Sequence, residues 1–234
     1  MRKLRLLLAF AALSTACSPR TIALRETAGL VSNGAGAFYD EPDPQLAREG
    51  LGPQLKLVEV LLRNEPDNRR LLAVAAEGFN GYSFLFLEND DPSRAKQFYL
   101  RGRDYGLRLL AQNKALAPLA TLDLDSTEKA LEALLPQDAP GLFWAAFGWG
   151  NYINLSKESP TALSELPKVV AMMEHVRRLA PDFHFAGADL FFGLYYASRP
   201  AMLGGDIKKA QAAFQEARLR TGGGMGAEEA MRVA

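Results

Sequence analysis

The sequence is poor in the side chains that most often carry catalysis and metal binding. It has one cysteine, Cys17, and two histidines, His175 and His184, in 234 residues. A single cysteine excludes an internal disulfide and any metal site built from several cysteines. Neither histidine has a second one four residues away on a helix, the spacing of a zinc-protease motif, so we expect surface or packing roles for both. Nucleophile elbows, phosphate loops and dinucleotide fingerprints are also missing, which predicts a non-enzymatic protein without metal or organic cofactor.

Basic runs are absent after the N-terminus. The full chain carries 27 basic and 27 acidic residues, and three of the basic ones lie in the first 16 positions, which contain no acid. The rest of the chain is therefore mildly acidic. Nucleic acid binding needs a basic stripe, so we expect no nucleic acid partner.

Residues 1–16 have the composition of a bacterial signal peptide. A positive MRKLR is followed by LLLAFAAL, an apolar run too short to span a bilayer permanently. The small residue before Cys17 resembles a lipobox, in which the cysteine becomes the lipid-modified first residue. Ser14 stands where such a motif usually has an aliphatic residue, and a plain secretory signal with an incidental cysteine is the alternative. We predict a lipid anchor at Cys17 and a periplasmic location, and Ser18 after the cysteine favours the outer membrane.

Strand-like alternation of apolar and polar residues is absent, and apolar residues recur at helical spacing instead. The sequence therefore predicts an all-α fold with one helical domain over residues 17–220 and a flexible tail at 221–234. A polar connection is expected at 156–166, and Asp206 is expected to cap the last helix. The predicted helices span residues 46–62, 69–88, 93–113, 122–135, 142–155, 167–179 and 185–198, with a further one after Asp206.

Internal repetition supports a tetratricopeptide-like fold. Shifting the chain by 115 residues aligns 59–102 with 174–217 without a gap. Small and aromatic residues coincide in this alignment, at spacings that let two helices pack closely around one ring. We predict about three stacked helix pairs, forming a solenoid, plus an N-terminal helix. The aligned positions are Gly78 with Gly193, Ala95 with Ala210, Tyr99 with Phe214 and Gly102 with Ala217.

Aromatic side chains are the remaining candidates for a functional surface. Core packing between helices is the simpler interpretation for most of them, and a ligand-binding or peptide-binding groove is the alternative. Arg199 is also a candidate for this surface, because the turn that follows it, with Pro200, Gly204 and Gly205, does not require an arginine. The candidates for a ligand or partner surface are Arg199, Tyr195, Tyr196, Phe192, Trp144 and Trp149.

Three segments resemble one family. These are YYASRPAMLGGD at 195–206 with the following KKAQAAFQEA, LFWAAFGWGNYI at 142–153, and LPKVVAMMEHVRRLAP at 166–181. They are similar to the TatT family of tetratricopeptide-like lipoproteins of tripartite ATP-independent periplasmic (TRAP) transporters, over roughly residues 20–220. The resemblance implies a lipid-anchored homotrimer that binds the transporter's substrate-binding protein and handles a hydrophobic small molecule. We therefore expect a non-enzymatic accessory lipoprotein of a TRAP-type uptake system, and a general scaffold lipoprotein of envelope assembly is the alternative.

The C-terminus departs from this family. Members continue with further helical sequence, whereas this chain runs into GGGMGAEEAMRVA at 222–234. We expect a truncated end that leaves the last helix uncovered on its apolar side and weakens the trimer. Phe214 and Ala217 are the residues expected to be exposed.

Overall fold

All regular structure in the residues that the computed structural model describes, 26–27, 29–30, 34 and 40–222, is helical. The all-α prediction is confirmed. Apart from a few isolated positions, the predicted signal peptide, Cys17, the N-terminal helix and most of the tail lie outside this range. The α-helices described are α1 (Pro44–Asn64), α2 (Arg69–Phe86), α3 (Pro92–Leu110), α4 (Leu124–Leu131), α5 (Ala139–Asn154), α6 (Pro160–Ser164), α7 (Leu166–Leu179), α8 (Phe183–Ala197) and α9 (Ile207–Arg220).

The expected polar connection at 156–166 contains the short helix α6. Pro160 occupies its first turn, where the missing N–H costs nothing, and the Ser159 hydroxyl accepts a hydrogen bond from the Ala162 N–H at 3.2 Å. A capped helical turn therefore forms within a segment whose composition predicted a loop. The helix predicted at 122–135 is shorter than expected, because α4 ends at Leu131 and a 3₁₀ turn, Pro136–Asp138, follows.

The chain divides into two units, residues 1–75 and 76–234. In the first unit Asp43 caps α1, with its carboxylate accepting from the Gln45 N–H at 2.9 Å. A charged turn follows at 65–68, and the Asn68 side chain then caps α2 by accepting from the Leu71 N–H at 3.2 Å. Buried aliphatic residues on both helices supply the apolar core of this unit: Leu55, Val58, Leu61, Leu62, Leu71 and Leu72.

In the second unit α3 crosses α5 at a contact made by small residues. A Cβ atom at Gly106 would lie 2.7 Å from the Ala145 nitrogen and 2.8 Å from the Gly141 oxygen, so the two backbones nearly touch. The Asn80 side chain of α2 fills the neighbouring space and donates to the Trp144 carbonyl at 2.9 Å. Helix α5 is thereby fixed against α2 and α3, and its other sides pack on α7 and α8.

Helices α8 and α9 form a close antiparallel pair around one ring. Gly193 lies against the buried Phe214, and Asp206 caps α9 by accepting from the Lys208 and Lys209 N–H groups, as predicted. Gly204 has φ 87°, which suits glycine, and a Cβ at Gly205 would lie 1.8 Å from the Arg199 oxygen. The sequence therefore correctly placed this turn and its cap.

The expectation that Phe214 and Ala217 are uncovered is wrong. Both are buried, because α9 turns their side chains toward α8 rather than toward the outside. The aligned positions Ala95, Tyr99 and Ala210 are also buried, and the Ser83 hydroxyl donates to the Ala95 carbonyl at 2.9 Å to join α2 with α3. Two close helix pairs are thus present, while their regular stacking as a solenoid stays a prediction.

Candidate functional site

Three of the six candidate residues lie in the core. Trp144, Trp149 and Phe192 are almost fully buried. The Trp149 ring has the Arg103 guanidinium 5.3 Å and the Lys168 ammonium 4.9 Å from its centre, and Lys168 also donates to the Leu122 carbonyl at 3.0 Å. This burial favours the packing interpretation for these rings. Their assignment to a ligand or partner surface stays a prediction.

The other three candidates lie at the C-terminal end of α8: Tyr195 and Tyr196 are in its last turn, and Arg199 follows it. The Arg199 side chain donates to the Tyr195 carbonyl at 2.8 Å, and its guanidinium carbon is 3.7 Å from the centre of the Tyr195 ring. An arginine that binds a free carbonyl in the last turn stabilises the helix C-terminus. The structure therefore gives Arg199 a local structural contact that the sequence did not predict, and its predicted surface role is untested.

A different set of rings reaches the surface, and we name it the aromatic surface: Phe84, Phe147, His184 and Phe185. Phe84 is 51% exposed and Phe185 is 62% exposed, whereas Phe147 and His184 are half-buried. Phe84 packs edge-to-face on Phe147 with ring centres 5.9 Å apart, and His184 and Phe185 are 5.5 Å apart. Two pairs of rings, each in contact within the pair, thus reach the solvent.

Buried rings of α5 connect the two halves of the aromatic surface. Trp144 is 5.6 Å from Phe147 and 4.5 Å from His184, ring centre to ring centre. Phe143 is 5.8 Å from Phe147 and 5.5 Å from His184. The exposed rings therefore rest on a packed aromatic base instead of projecting singly into water.

The backbone that presents Phe185 is strained. His184, Phe185 and Ala186 have φ values of 48°, 57° and 56°, so one left-handed turn precedes the right-handed part of α8. Each non-glycine residue in this conformation costs about 1–2 kcal/mol. Such strain persists only where surrounding contacts hold it, and it is found most often at functional sites.

His184 adds no charge to the aromatic surface at neutral pH. Burial among the rings lowers the pKa of His184 to about 4, because the surroundings solvate an imidazolium poorly. The neutral imidazole then packs as one more aromatic ring. The second histidine, His175, lies on α7, where its Nδ1 is 3.0 Å from the Ala171 oxygen.

A charged groove lies along α7, α8 and α9. Asp189, fully buried on α8, has its carboxylate 2.6 Å from Arg177 Nε and 3.2 Å from Arg220 Nε. Burial raises the pKa of Asp189, and the two guanidiniums oppose that shift. The groove above them has a volume of about 360 Å³, with Tyr196 and Lys209 also in its lining.

Sequence reasoning singled out neither feature as a whole, although Tyr196 in the lining of the charged groove is one of the six candidates. The rings of the aromatic surface lie in aromatic-rich helices that are recognisable in the sequence. Periodicity, however, does not distinguish an exposed ring from a buried one when aromatic residues occupy several sides of a helix. The three consecutive rings Phe183, His184 and Phe185, directly after the turn at 181–182, were the available signal.

Within residues 40–222 and the few described positions before them, no group of three or more histidine, cysteine, aspartate or glutamate side chains is placed to hold a metal ion. In the same part of the chain, no helix combines the length and the apolar character needed to cross a membrane.

Two comparisons bear on the protein's relationships. The family model described as "TRAP transporter T-component" matches residues 40–230. An uncharacterized protein of Treponema pallidum (strain Nichols) is 25% identical over 194 residues, which cover 76% of this chain and 60% of that protein. The chain thus spans about 60% of the length of the relative that it matches.

Proposed function

We propose that the chain, which belongs to the TRAP transporter T-component family, is an accessory component of a TRAP-type uptake system. In this proposal it docks the substrate-binding protein of that system and performs no catalysis. The proposal includes a periplasmic location and a lipid anchor at Cys17, both of which come from the sequence.

The aromatic surface is the observation that supports docking. Exposed rings are costly in water, and aromatic anchors on a packed base are typical of the centres of protein interfaces. Phe84 and Phe185 supply the two exposed rings, from α2 and from the start of α8. A partner that covers both rings would remove apolar area from water without reorganising the base beneath them.

The same geometry favours a protein over an enclosed hydrophobic ligand at this surface. The rings are open to solvent, whereas ligand pockets bury most of a small molecule. Two grooves on the described surface, at residues 65–70 and along α7, α8 and α9, are lined largely by charged side chains. Handling of a hydrophobic small molecule and assembly as a trimer therefore rest on the family resemblance alone.

Affinity purification of the full-length tagged protein from its native envelope tests the proposal. We expect the TRAP substrate-binding protein to be retained, and a lipoprotein of unrelated fold, tagged in the same way, to retain none. Retention of outer-membrane assembly factors without any TRAP substrate-binding protein would contradict the proposal and favour the general scaffold.

A further inference from the structure

Helix α1 exposes a line of apolar side chains to solvent. They recur at intervals of three, four and seven residues, which places them along one side of the helix. Leu46 is 54% exposed, Leu57 is 46% exposed and Val60 is 55% exposed, and Pro53 between them is exposed as well. We name this set the α1 stripe: Leu46, Pro53, Leu57 and Val60.

The α1 stripe lies opposite the side of α1 that supplies the core of the first unit. At 3.6 residues per turn, the buried residues of α1 point away from the stripe; they are Leu55, Val58, Leu61 and Leu62. A surface helix of a globular protein normally has one apolar face and a polar face opposite to it. The core of the unit therefore does not account for the stripe, which is available to a second apolar surface.

The place of α1 in the chain indicates a lipid bilayer as that surface. Pro44, the first residue of α1, follows the predicted lipid anchor Cys17 by 27 residues. A fully extended chain of this length spans at most about 100 Å. Anchoring at Cys17 therefore keeps α1 within reach of the membrane and makes contact with lipid an intramolecular event, for which a weak interaction is sufficient.

Charged side chains along one edge of the α1 stripe suit a helix at the membrane interface. Lys56, whose side chain is 72% exposed, and the exposed Arg63 lie at this edge. Their long stems can cover apolar surface while the charged ends stay among the lipid head groups. Glu49, at the same edge, accepts a hydrogen bond from Gln45 at 2.9 Å. The apolar side chains can thus enter the interface while the charges beside them stay in water.

We propose that α1 lies flat on the membrane surface, with the α1 stripe inserted at the boundary between lipid head groups and acyl chains. The inference rests on the lipid anchor at Cys17, which is part of the proposed function. An apolar helix face at this boundary is buried by about 5–10 Å. The contact needs the anchor, because four side chains bind too weakly to hold the free protein on a membrane.

Fluorophore labels on the mature lipoprotein test the contact. Cys17 is the one cysteine of the chain and is acylated in this account, so an introduced cysteine is the only free thiol. Leu57→Cys and Val60→Cys proteins are labelled and reconstituted into vesicles of phosphatidylethanolamine and phosphatidylglycerol at about 3:1, which supply an anionic surface. Lipids with a nitroxide quencher, placed near the head groups or near the acyl-chain ends, report the depth of each label.

Leu135→Cys is the matched control, because Leu135 is a leucine of similar exposure, 51%, outside α1. The quencher near the head groups is expected to act on the labels at positions 57 and 60 at least about two-fold more than on the label at position 135. It is also expected to act on them more than the deep quencher does, since an interfacial helix stays within about 5–10 Å of the head groups.

Two results would overturn the lipid contact and leave the anchor and the docking proposal intact. One is equal quenching at all three positions. The other is labels at positions 57 and 60 that are shielded from water but unquenched, because a protein surface, such as a second copy of the chain, then covers α1. Labelling of the wild-type protein would instead reveal a free Cys17 and would remove the anchor together with the inference. None of these measurements includes the substrate-binding protein.

Discussion

Replacing Gly193 with alanine tests how closely α8 and α9 pack. The new Cβ atom would lie 2.5 Å from Cε1, 2.6 Å from Cδ1 and 2.7 Å from Cζ of Phe214. Carbon atoms in ordinary contact are about 3.5–4.0 Å apart, so the ring or the helix must move by about 1 Å. The Phe214 ring is buried between the two helices and has little room to move.

The size of the effect follows from two opposing terms. Overpacking a well-packed site costs about 1–3 kcal/mol. Alanine in a helix interior is better than glycine by about 1 kcal/mol, which offsets part of that cost. Gly81 on α2 is the matched control, because no atom lies within 4 Å of a Cβ built there and Gly81→Ala therefore keeps the propensity gain. We expect Gly193→Ala to be less stable than Gly81→Ala by about 1–3 kcal/mol.

Urea denaturation with the same slope m in all variants supplies the free energies of unfolding. Phe214→Leu removes two of the three atoms that the new Cβ meets, Cε1 and Cζ, so the double variant Gly193→Ala with Phe214→Leu should lose less than the sum of the single changes. The close packing of α8 and α9 is refuted by either of two results. One is equal stability of Gly193→Ala and Gly81→Ala, and the other is a double variant whose loss of unfolding free energy equals the sum of the losses for Gly193→Ala and Phe214→Leu.

Two further predictions concern pH and the membrane. The pKa of His184 is about 4 in the folded chain and about 6.5 in a free histidine, so its stabilising contribution is full above pH 6.5 and falls by about 3 kcal/mol as the pH drops to 4. His184→Asn tolerates the left-handed backbone and should flatten this part of the pH–stability curve; an unchanged curve contradicts the buried imidazole. Cys17→Ser is expected to release the protein from the membrane fraction, and continued membrane association would remove the lipid anchor from the account.

The helices and their pairing were largely predictable from local signals. Apolar spacing and turn residues indicate where helices begin and end, and Asp206 carries the capping chemistry in its own side chain. The sequence alignment of Gly193 with Gly78 also pointed to close helix packing, which the contact of Gly193 with Phe214 shows. These features depend on residues a few positions apart.

The surfaces depend on tertiary contacts and were not predictable in this way. Whether Phe214 is covered is decided by the direction in which α9 docks on α8, which the composition of the tail does not reveal. The left-handed turn at His184 contradicts the helical propensity of its residues and is held by ring contacts with α5. Asp189 reads in sequence as an ordinary helix residue, and only the approach of Arg177 and Arg220 shows what it binds.

The affinity of the purified chain for the TRAP substrate-binding protein is the most direct test of the proposed function. Phe185→Ser removes an exposed ring of the aromatic surface, and Met202→Ser changes another exposed apolar side chain, 88% exposed, outside it. The account predicts that the wild-type protein and Met202→Ser bind alike, and that Phe185→Ser binds at least about ten-fold more weakly, as expected for an aromatic anchor. Failure of the wild-type protein to bind, or equal binding by all three proteins, would contradict it.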